Sequence, residues 1–324
     1  MTMDAAELTL IRSSFEGALR DTPAEAIVEA LTTLGWDELR QAEPMVAVAE
    51  LFEAQGRLLA ATPMLDAVVA DALSVEISAG RAMVHPGLGA WDAPPGTTES
   101  EGHVVFEGIV LTGLDRAARL LVPYTTPDGR TGVASAETAD LELVPIAGFD
   151  ETMRLARVRG RVAGADPPAA GVPWRTATAA ARRALAHELC GLAQQMLDTA
   201  ARHVTDRHQF GKPIAAFQSV RHRLTEVHVA IAATRPVLDA AWVTGHPLAA
   251  DAAKALAGRA GHLASKHCLQ VTGAIGFTWE YDLHRQMRRV LLLDGLYGRA
   301  RALQTSIGAD LLARGAVPRI HPLP

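Results

Sequence analysis

The sequence predicts an α+β fold with an N-terminal helical domain, a small middle β domain and a C-terminal four-helix bundle. Apolar residues recur at helical spacing from residue 4 to residue 75, and the same periodicity returns from residue 173 onward. Between these stretches the chain changes to short apolar runs separated by turn residues. We therefore predict domains at residues 1–75, 76–163 and 164–324, a division that a chain of 324 residues can support.

The N-terminal domain is predicted to begin with amphipathic helices. Four apolar residues mark one face of the first helix: Leu8, Ile11, Phe15 and Leu19. The run Thr-Pro-Ala-Glu at residues 22–25 has the pattern of an N-cap followed by proline at the first helical position. This run predicts a second helix that continues through Leu34 and ends at Gly35.

The middle domain is predicted to be a compact β structure. Its strand-like runs are Arg81–Val84, His103–Leu111, Arg119–Tyr124, Gly132–Ser135, Leu141–Ile146 and Met153–Val162. Turn residues separate the runs, as in Pro94-Pro95-Gly96. This spacing is typical of short strands joined by turns.

The C-terminal domain is predicted to contain long helices. Their ranges are Pro173–Arg207, Phe217–Ala241, Pro247–Thr272 and Tyr281–Arg314. Pro236 is expected to mark a kink or an early break in the second helix, because proline removes one backbone hydrogen bond. Long antiparallel helices with short connections form a four-helix bundle.

Composition and charge argue against several classes of function. The formal net charge is −5, which gives no electrostatic reason to expect a nucleic-acid partner. The chain has two cysteines, Cys190 and Cys268, which imply no disulfide framework and fit a reducing compartment. We find neither a signal peptide nor an apolar membrane span, so we expect a cytoplasmic protein. No spacing of histidine or cysteine predicts a metal site.

Two motifs in the helical domain resemble the flavin-binding signature of acyl-CoA dehydrogenases. Residues 207–211 read Arg-His-Gln-Phe-Gly and are followed by Phe217, and residues 270–276 read Gln-Val-Thr-Gly-Ala-Ile-Gly. The family patterns are Arg-x-x-Phe-Gly and Gln-x-x-Gly-Gly-x-Gly. Residues 34–36 (Leu-Gly-Trp) and 276–284 also resemble family segments, the latter those of a bacterial subgroup. The order helical, β, helical bundle is similar to the family fold over nearly the whole chain.

The resemblance implies that the chain contacts FAD. The implied contact residues are Arg207, Gln209, Phe210, Phe217, Gln270 and Gly273. In the family, the arginine reaches the FAD of a neighbouring subunit, where its planar cation can grip the pyrophosphate in a bidentate manner. The aromatic side chains would pack against the cofactor. Gln270 and the backbone around Gly273 would meet the ADP half, since glycine permits close approach.

A structural interpretation of these residues is also open. Arg207 at a helix end can pair with Asp206 or cap carbonyl groups, and Phe210 and Phe217 can belong to the bundle core. Ala274 departs from the second glycine of the family motif, which is a mild change.

The catalytic carboxylate of the family has no counterpart at the expected positions. Most members place a glutamate in a Tyr-Glu-Gly-Thr segment, whose glutamate falls on Tyr297 here. A phenol with a pKa of about 10 is a poor base at neutral pH. A minority place the glutamate on the first bundle helix, where this chain has Ala181. We therefore predict no catalytic residue in this chain.

Two carboxylates offer alternatives. Asp294 can take the place of the base if the register of the last helix shifts by three residues, since such a shift nearly preserves the helix face. Otherwise it is a solvated residue at a helix end near Arg288. Glu188 lies two turns after Ala181, where pairing with an arginine of the bundle is the simpler interpretation.

The middle domain also lacks the segments that cradle the flavin ring in full-length members. The stretch at residues 84–92 keeps only the proline of the family loop, and no Lys-Trp-Ile strand follows. Trp91 in this stretch either touches a ligand or covers the β domain.

The resemblance implies a subunit of a bacterial heteromeric acyl-CoA dehydrogenase, of the kind used in sterol side-chain degradation. A full-length partner subunit would hold the flavin ring, the acyl-CoA and the catalytic glutamate, and an electron-transfer flavoprotein would accept the electrons. Two alternatives stay open: a self-sufficient homotetrameric dehydrogenase that uses Asp294 or another displaced base, and a flavin-free scaffold of the same fold.

Overall fold

The computed structural model describes residues 3–78, 80–99, 102–111, 117–148, 150–163, 172–278 and 281–317. The chain divides into two compact units. The first comprises the described parts of residues 1–60, 183–294 and 300–324, and the second those of residues 61–182 and 295–299. The α+β fold is confirmed, with helices, then a sheet, then helices along the chain. The three-domain division remains a prediction.

The first unit begins with helices α1 (Ala5–Asp21), α2 (Ile27–Thr33), α3 (Trp36–Ala42) and α4 (Pro44–Leu58). The prediction that Thr22 opens the second helix is wrong. Thr22 instead closes α1, because its N–H donates to the Ala18 carbonyl at 3.0 Å, and α2 begins only at Ile27. Gly35 does end α2, and its left-handed conformation (φ +81°) explains why glycine stands there.

The C-terminal helices are α6 (Trp174–Asp206), α7 (Gln218–Thr244), α8 (Pro247–Thr272), α9 (Leu283–Gly295) and α10 (Ala300–Arg314). The boundary between the units falls inside α6, after Arg182. The prediction of one final helix is wrong, because the chain leaves the helix after Gly295 and re-enters it at Ala300. Tyr297 (φ +54°) and Gly298 (φ +105°) have left-handed backbone, which an α-helix cannot contain.

Helix α7 continues through Pro236 to Thr244, so the expected early break does not occur. Proline removes only one hydrogen bond, and the packing of α7 on α8 compensates for that loss. The face that packs is buried on both sides of the proline, at Val227, Ile231, Thr234 and Leu238.

Helices α4 and α6 approach each other backbone to backbone. A Cβ at Gly56 would collide with the Glu188 carbonyl, and a Cβ at Gly191 would collide with the Glu53 carbonyl. Glycine is therefore required at both crossings, and this close contact fixes the position of Glu188 in the interior of the unit.

The second unit contains helix α5 (Met64–Ala72) and a seven-stranded sheet. The strands are β1 (Arg81–Met83), β2 (Gly96–Thr98), β3 (His103–Val110), β4 (Arg119–Thr125), β5 (Thr131–Glu137), β6 (Glu142–Pro145) and β7 (Ala156–Ala163). The order is β1-β4-β2-β3-β7-β6, with β5 also paired to β4. The six predicted strands are confirmed, although β7 begins three residues late, after a 3-10 turn at Glu151–Met153.

Strand β2 was not predicted, because Gly96 looks like a turn residue in the sequence. In the fold Gly96 is buried, and a Cβ there would stand 2.9 Å from the Tyr124 Cβ. Glycine serves close packing at this position, not a turn. No described helix is long and apolar enough to cross a bilayer.

Candidate functional site

The Arg207 motif forms a β-hairpin that follows directly on helix α6. Its strands are β8 (His208–Gln209) and β9 (Lys212–Pro213), and the two turn residues, Phe210 and Gly211, have φ of +55° and +79°. Positive φ at both central residues is typical of a type I′ turn, which matches the twist of a hairpin. The Ile214 N–H donates to the Arg207 carbonyl at 2.8 Å and closes the base of the hairpin.

Phe210 stands at the tip of this hairpin with 90% of its surface exposed. A left-handed conformation is costly for a bulky residue, and such strain is often found at binding sites. The ring meets Phe217 edge to face at 6.1 Å, and the Lys212 ammonium lies 4.4 Å from the centre of the Phe217 ring. The alternative that Phe210 belongs to the bundle core is therefore wrong, whereas Phe217 is half-buried.

Arg207 is exposed at the end of α6 beside a surface depression of about 370 Å³. The other residues that line the depression are Thr199, Arg202, His203, Asp206 and Tyr281. Within the described part of the chain, Arg207 forms no salt bridge with Asp206 or with any other carboxylate. The guanidinium is therefore available to an anionic ligand. Gln209, in the first hairpin strand, is also exposed.

The second motif ends helix α8. Gln270 is exposed in its last turn, and Gly273 adopts φ +67° and ψ −147°, a conformation that is essentially restricted to glycine. Apart from its two chain neighbours, no described residue has a heavy atom within 4 Å of where a Gly273 Cβ would stand, so the backbone is open on this side. By contrast, a Cβ at Gly276 would stand 2.6 Å from the Thr272 hydroxyl, so Gly276 is needed for packing.

The two motifs are joined by a contact that the sequence did not reveal. The Tyr281 hydroxyl lies 3.2 Å from His203 Nδ1, and the two rings meet edge to face at 5.9 Å. His203 precedes Arg207 by one helical turn, and Tyr281 follows the 3-10 turn Gly273–Phe277. Tyr281 belongs to the stretch at residues 276–284, of which Trp279 and Glu280 lie outside the described residues.

In the second unit, Tyr297 takes part in a buried hydrogen-bond network with Asp66 and His85. His85 Nδ1 lies 2.7 Å from the Tyr297 hydroxyl, and its Nε2 lies 2.7 Å from Asp66 Oδ1. Because the Asp66 carboxylate accepts, we assign the proton of His85 to Nε2, which leaves Nδ1 to accept from the tyrosine. Tyr297 is thereby fixed as a hydrogen-bond donor.

The C-terminal helical part of the chain is similar to a known protein family. Residues 174–312 match the family model of the acyl-CoA dehydrogenase C-terminal domain. The Mycobacterium tuberculosis protein named acyl-CoA dehydrogenase IpdE2 is 34% identical over 161 residues, which cover 50% of this chain and 47% of that protein. The match thus spans about half the length of that relative.

Solved structures of acyl-CoA dehydrogenases share the fold along most of the chain. The structure of the steroid ACAD Tcur3481–Tcur3483 has a TM-score of 0.79 at 24% identity, covering 96% of this chain and 98% of that one. The ChsE4–ChsE5 complex from Mycobacterium tuberculosis has a TM-score of 0.74 at 19% identity, covering 98% and 99%. At these identities the likeness establishes the acyl-CoA dehydrogenase fold.

The two positions at which the sequence analysis expects the family base, Tyr297 and Ala181, are both buried. Tyr297 is fully buried, its ring stacks on Trp174 at 6.3 Å, and its carbonyl accepts the Arg182 Nε–H at 2.9 Å. Burial, and then the negative charge of Asp66, raise the pKa of the Tyr297 phenol well above its usual value. Ala181 is also fully buried. Neither side chain can take a proton from a substrate.

The interpretation of Asp294 as a solvated residue at a helix end is wrong. It is only 7% exposed, His262 Nε2 lies 3.0 Å from its Oδ2, and the Ala300 N–H donates to its Oδ1 at 2.9 Å. Burial acts to raise the pKa of Asp294, but the His262 hydrogen bond, the Lys254 charge and the Ala300 N–H lower it overall. Asp294 thus holds the start of α10 as an ionised carboxylate.

The structure also distinguishes between the alternative interpretations of Glu188 and Trp91. Glu188 pairs with Arg289 at 2.9 Å, as its simpler interpretation predicted. Trp91 is half-buried, with the Arg182 guanidinium 5.0 Å from its ring centre, which favours the covering role. Asp66 and His85 were missed because nothing in the local sequence links them to Tyr297. Among the described residues, no group of histidine, cysteine and carboxylate side chains could hold a metal ion.

Proposed function

We propose that this chain is a subunit of a heteromeric, FAD-dependent acyl-CoA dehydrogenase, and that it lends FAD contacts to a partner subunit that supplies the catalytic glutamate. The proposal rests on a difference in exposure between the FAD-motif residues and the position of the base. The motif residues implied in FAD contact are exposed or half-buried on the first unit, whereas the position of the base is occupied by the fully buried Tyr297.

The described residues fit an FAD dinucleotide. The Arg207 guanidinium has no carboxylate partner in the described part of the chain and can grip a diphosphate through two N–H donors. Gly273 offers open backbone, Gln270 offers an exposed amide and Phe210 an exposed ring. When bound, FAD supplies the acceptor for the hydride that leaves the acyl β-carbon.

The proposed role of this chain in the reaction is to bind and orient, not to transfer the proton. Abstraction of the α-proton needs a carboxylate at hydrogen-bonding distance from the α-carbon. Tyr297 donates its own proton to His85, and both oxygens of Asp294 already accept hydrogen bonds. The glutamate is therefore assigned to a full-length partner subunit, which would also hold the acyl-CoA.

The names of two similar structures support a heteromeric assembly and a bulky substrate. The ChsE4–ChsE5 structure is a complex, and the Tcur3481–Tcur3483 enzyme is named as a steroid ACAD. We propose by extension that the substrate is a bulky acyl-CoA such as a steroid thioester, that the enzyme works in sterol side-chain degradation as a heterotetramer, and that an electron-transfer flavoprotein accepts the electrons.

When this chain is expressed alone, we expect it to be poorly soluble or free of flavin. It should copurify with FAD only when co-expressed with its full-length partner, because residues 84–92 lack the family loop that cradles the flavin ring. The measurement is flavin absorbance per polypeptide for each preparation. A yellow and active preparation of the chain alone would favour the self-sufficient homo-oligomer, and a stable flavin-free assembly would favour the scaffold.

The change Arg207→Ala is expected to weaken FAD retention in the assembled enzyme. A charge-assisted contact contributes about 1.5–3 kcal/mol, which corresponds to roughly a 10- to 100-fold loss of affinity. Arg207→Lys should be nearly as harmful, because lysine lacks the bidentate fork. The measurement is the FAD dissociation constant after flavin removal and titration. Arg20→Ala, which removes an exposed arginine on α1, is the matched control. Unchanged affinity in both Arg207 variants would assign this arginine a purely structural role.

A further inference from the structure

The His203–Tyr281 contact lies between the two segments that carry the proposed FAD surface. The Arg207 N–H donates to the His203 carbonyl at 3.0 Å, so the histidine and the arginine belong to the same closing turn of α6. Tyr281 lies beyond the 3-10 turn Gly273–Phe277, its hydroxyl lies 3.2 Å from His203 Nδ1, and both residues line the surface depression.

Both segments need such support because they are short and project into solvent. The hairpin has two residues in each strand, and its tip residue Phe210 is 90% exposed. The 3-10 turn Gly273–Phe277 ends in Phe277, which is 67% exposed. A rigid cofactor that meets both segments requires their relative position to be fixed before it binds.

We propose that His203 and Tyr281 are positioning residues. They fix the position of Arg207 relative to the Gly273 turn, so that FAD can contact both segments at the same time. This inference rests on the proposed function. In this arrangement His203 and Tyr281 do not touch the reacting atoms, and they act through Arg207 and the backbone at Gly273.

The protonation of His203 fits this role. Burial, and then the nearby charge of Arg207, lower the pKa of the imidazole. A neutral imidazole can accept the Tyr281 O–H at Nδ1, and it adds no second positive charge against Arg207.

The test measures the FAD dissociation constant of the co-purified assembly after flavin removal. Tyr281→Phe keeps the ring and deletes the hydroxyl, so it should weaken FAD binding by about 2- to 12-fold, the value of one net hydrogen bond. His203→Ala should weaken binding at least as much. His203→Asn places an amide oxygen near the position of Nδ1 and should restore most of the affinity. His228→Ala removes an exposed imidazole on α7 and serves as the control.

A double-mutant cycle separates positioning from general structural support. In the Arg207→Ala background, Tyr281→Phe should change FAD affinity by less than about twofold, because positioning an absent arginine has no effect. If Tyr281→Phe weakened FAD binding equally in both backgrounds, this inference would be overturned and the proposed function would stand. The same holds if the change lowered the unfolding temperature and left FAD affinity unchanged. Unchanged affinity in Arg207→Ala by itself would overturn the role of Arg207 in the proposed function, and this inference with it.

Discussion

In the proposed assembly, replacing the glutamate assigned to the partner subunit by glutamine is expected to lower turnover by about 10²–10⁴-fold. FAD should remain bound, since the change removes only a titrating group. The reason is that Tyr297 and Ala181, the positions at which the sequence analysis expects the family base, are both buried in this chain. The measurement is the steady-state rate of acyl-CoA-dependent reduction of an electron acceptor, expressed per bound flavin.

The matched changes in this chain are Asp294→Asn and Tyr297→Phe, and we expect turnover per flavin within a few-fold of wild type for both. Each change keeps the shape of the side chain and removes its titrating group. Asp294→Asn retains an oxygen that can accept the Ala300 N–H, and Tyr297→Phe retains the ring that stacks on Trp174. If activity collapsed in Asp294→Asn while flavin content and assembly stayed constant, this chain would carry its own base.

Arg289→Met is expected to be the most destabilising single change considered for this chain. Arg289 is fully buried, its Nη1 lies 2.9 Å from Glu188 Oε1, and the same nitrogen donates to the Ala60 carbonyl at 2.8 Å. Nη2 donates to the Leu59 carbonyl at 3.3 Å, so the guanidinium also satisfies carbonyl groups just beyond the end of α4. Removing one partner of a buried ion pair costs about 3–5 kcal/mol, which should lower the unfolding temperature by on the order of 5–15 °C.

Thermal unfolding of the purified assembly at one fixed protein concentration measures this effect, since concentration shifts the midpoint of an oligomer. Arg285→Met is the matched control, because Arg285 pairs with Asp282 at 2.8 Å near the start of the same helix but in solvent. That pair should contribute at most about 1 kcal/mol. The double change Glu188→Met with Arg289→Met should recover part of the loss, because no buried carboxylate remains without its arginine. Equal shifts for Arg289→Met and Arg285→Met would contradict the structural account.

The positions of most helices and strands followed from the sequence. Helix α8 is predicted at its observed bounds, Pro247–Thr272, because proline begins it and Gly273 ends it. Strand β3 is predicted to within one residue. These features depend on periodicity and on start and stop residues within a short window. The predictions failed where a residue serves packing instead, as at Gly96 in β2.

The sequence by itself determined the fold class, the family resemblance and the residues of the proposed FAD surface, because these depend on residue type and spacing along the chain. Only the tertiary structure decided which of these residues are exposed, that Tyr281 contacts His203, and that Tyr297 is enclosed by Asp66 and His85. Tyr297 and His85 are separated by 212 positions in the chain. Such contacts arise from the packing of distant segments against one another, and no local pattern specifies them.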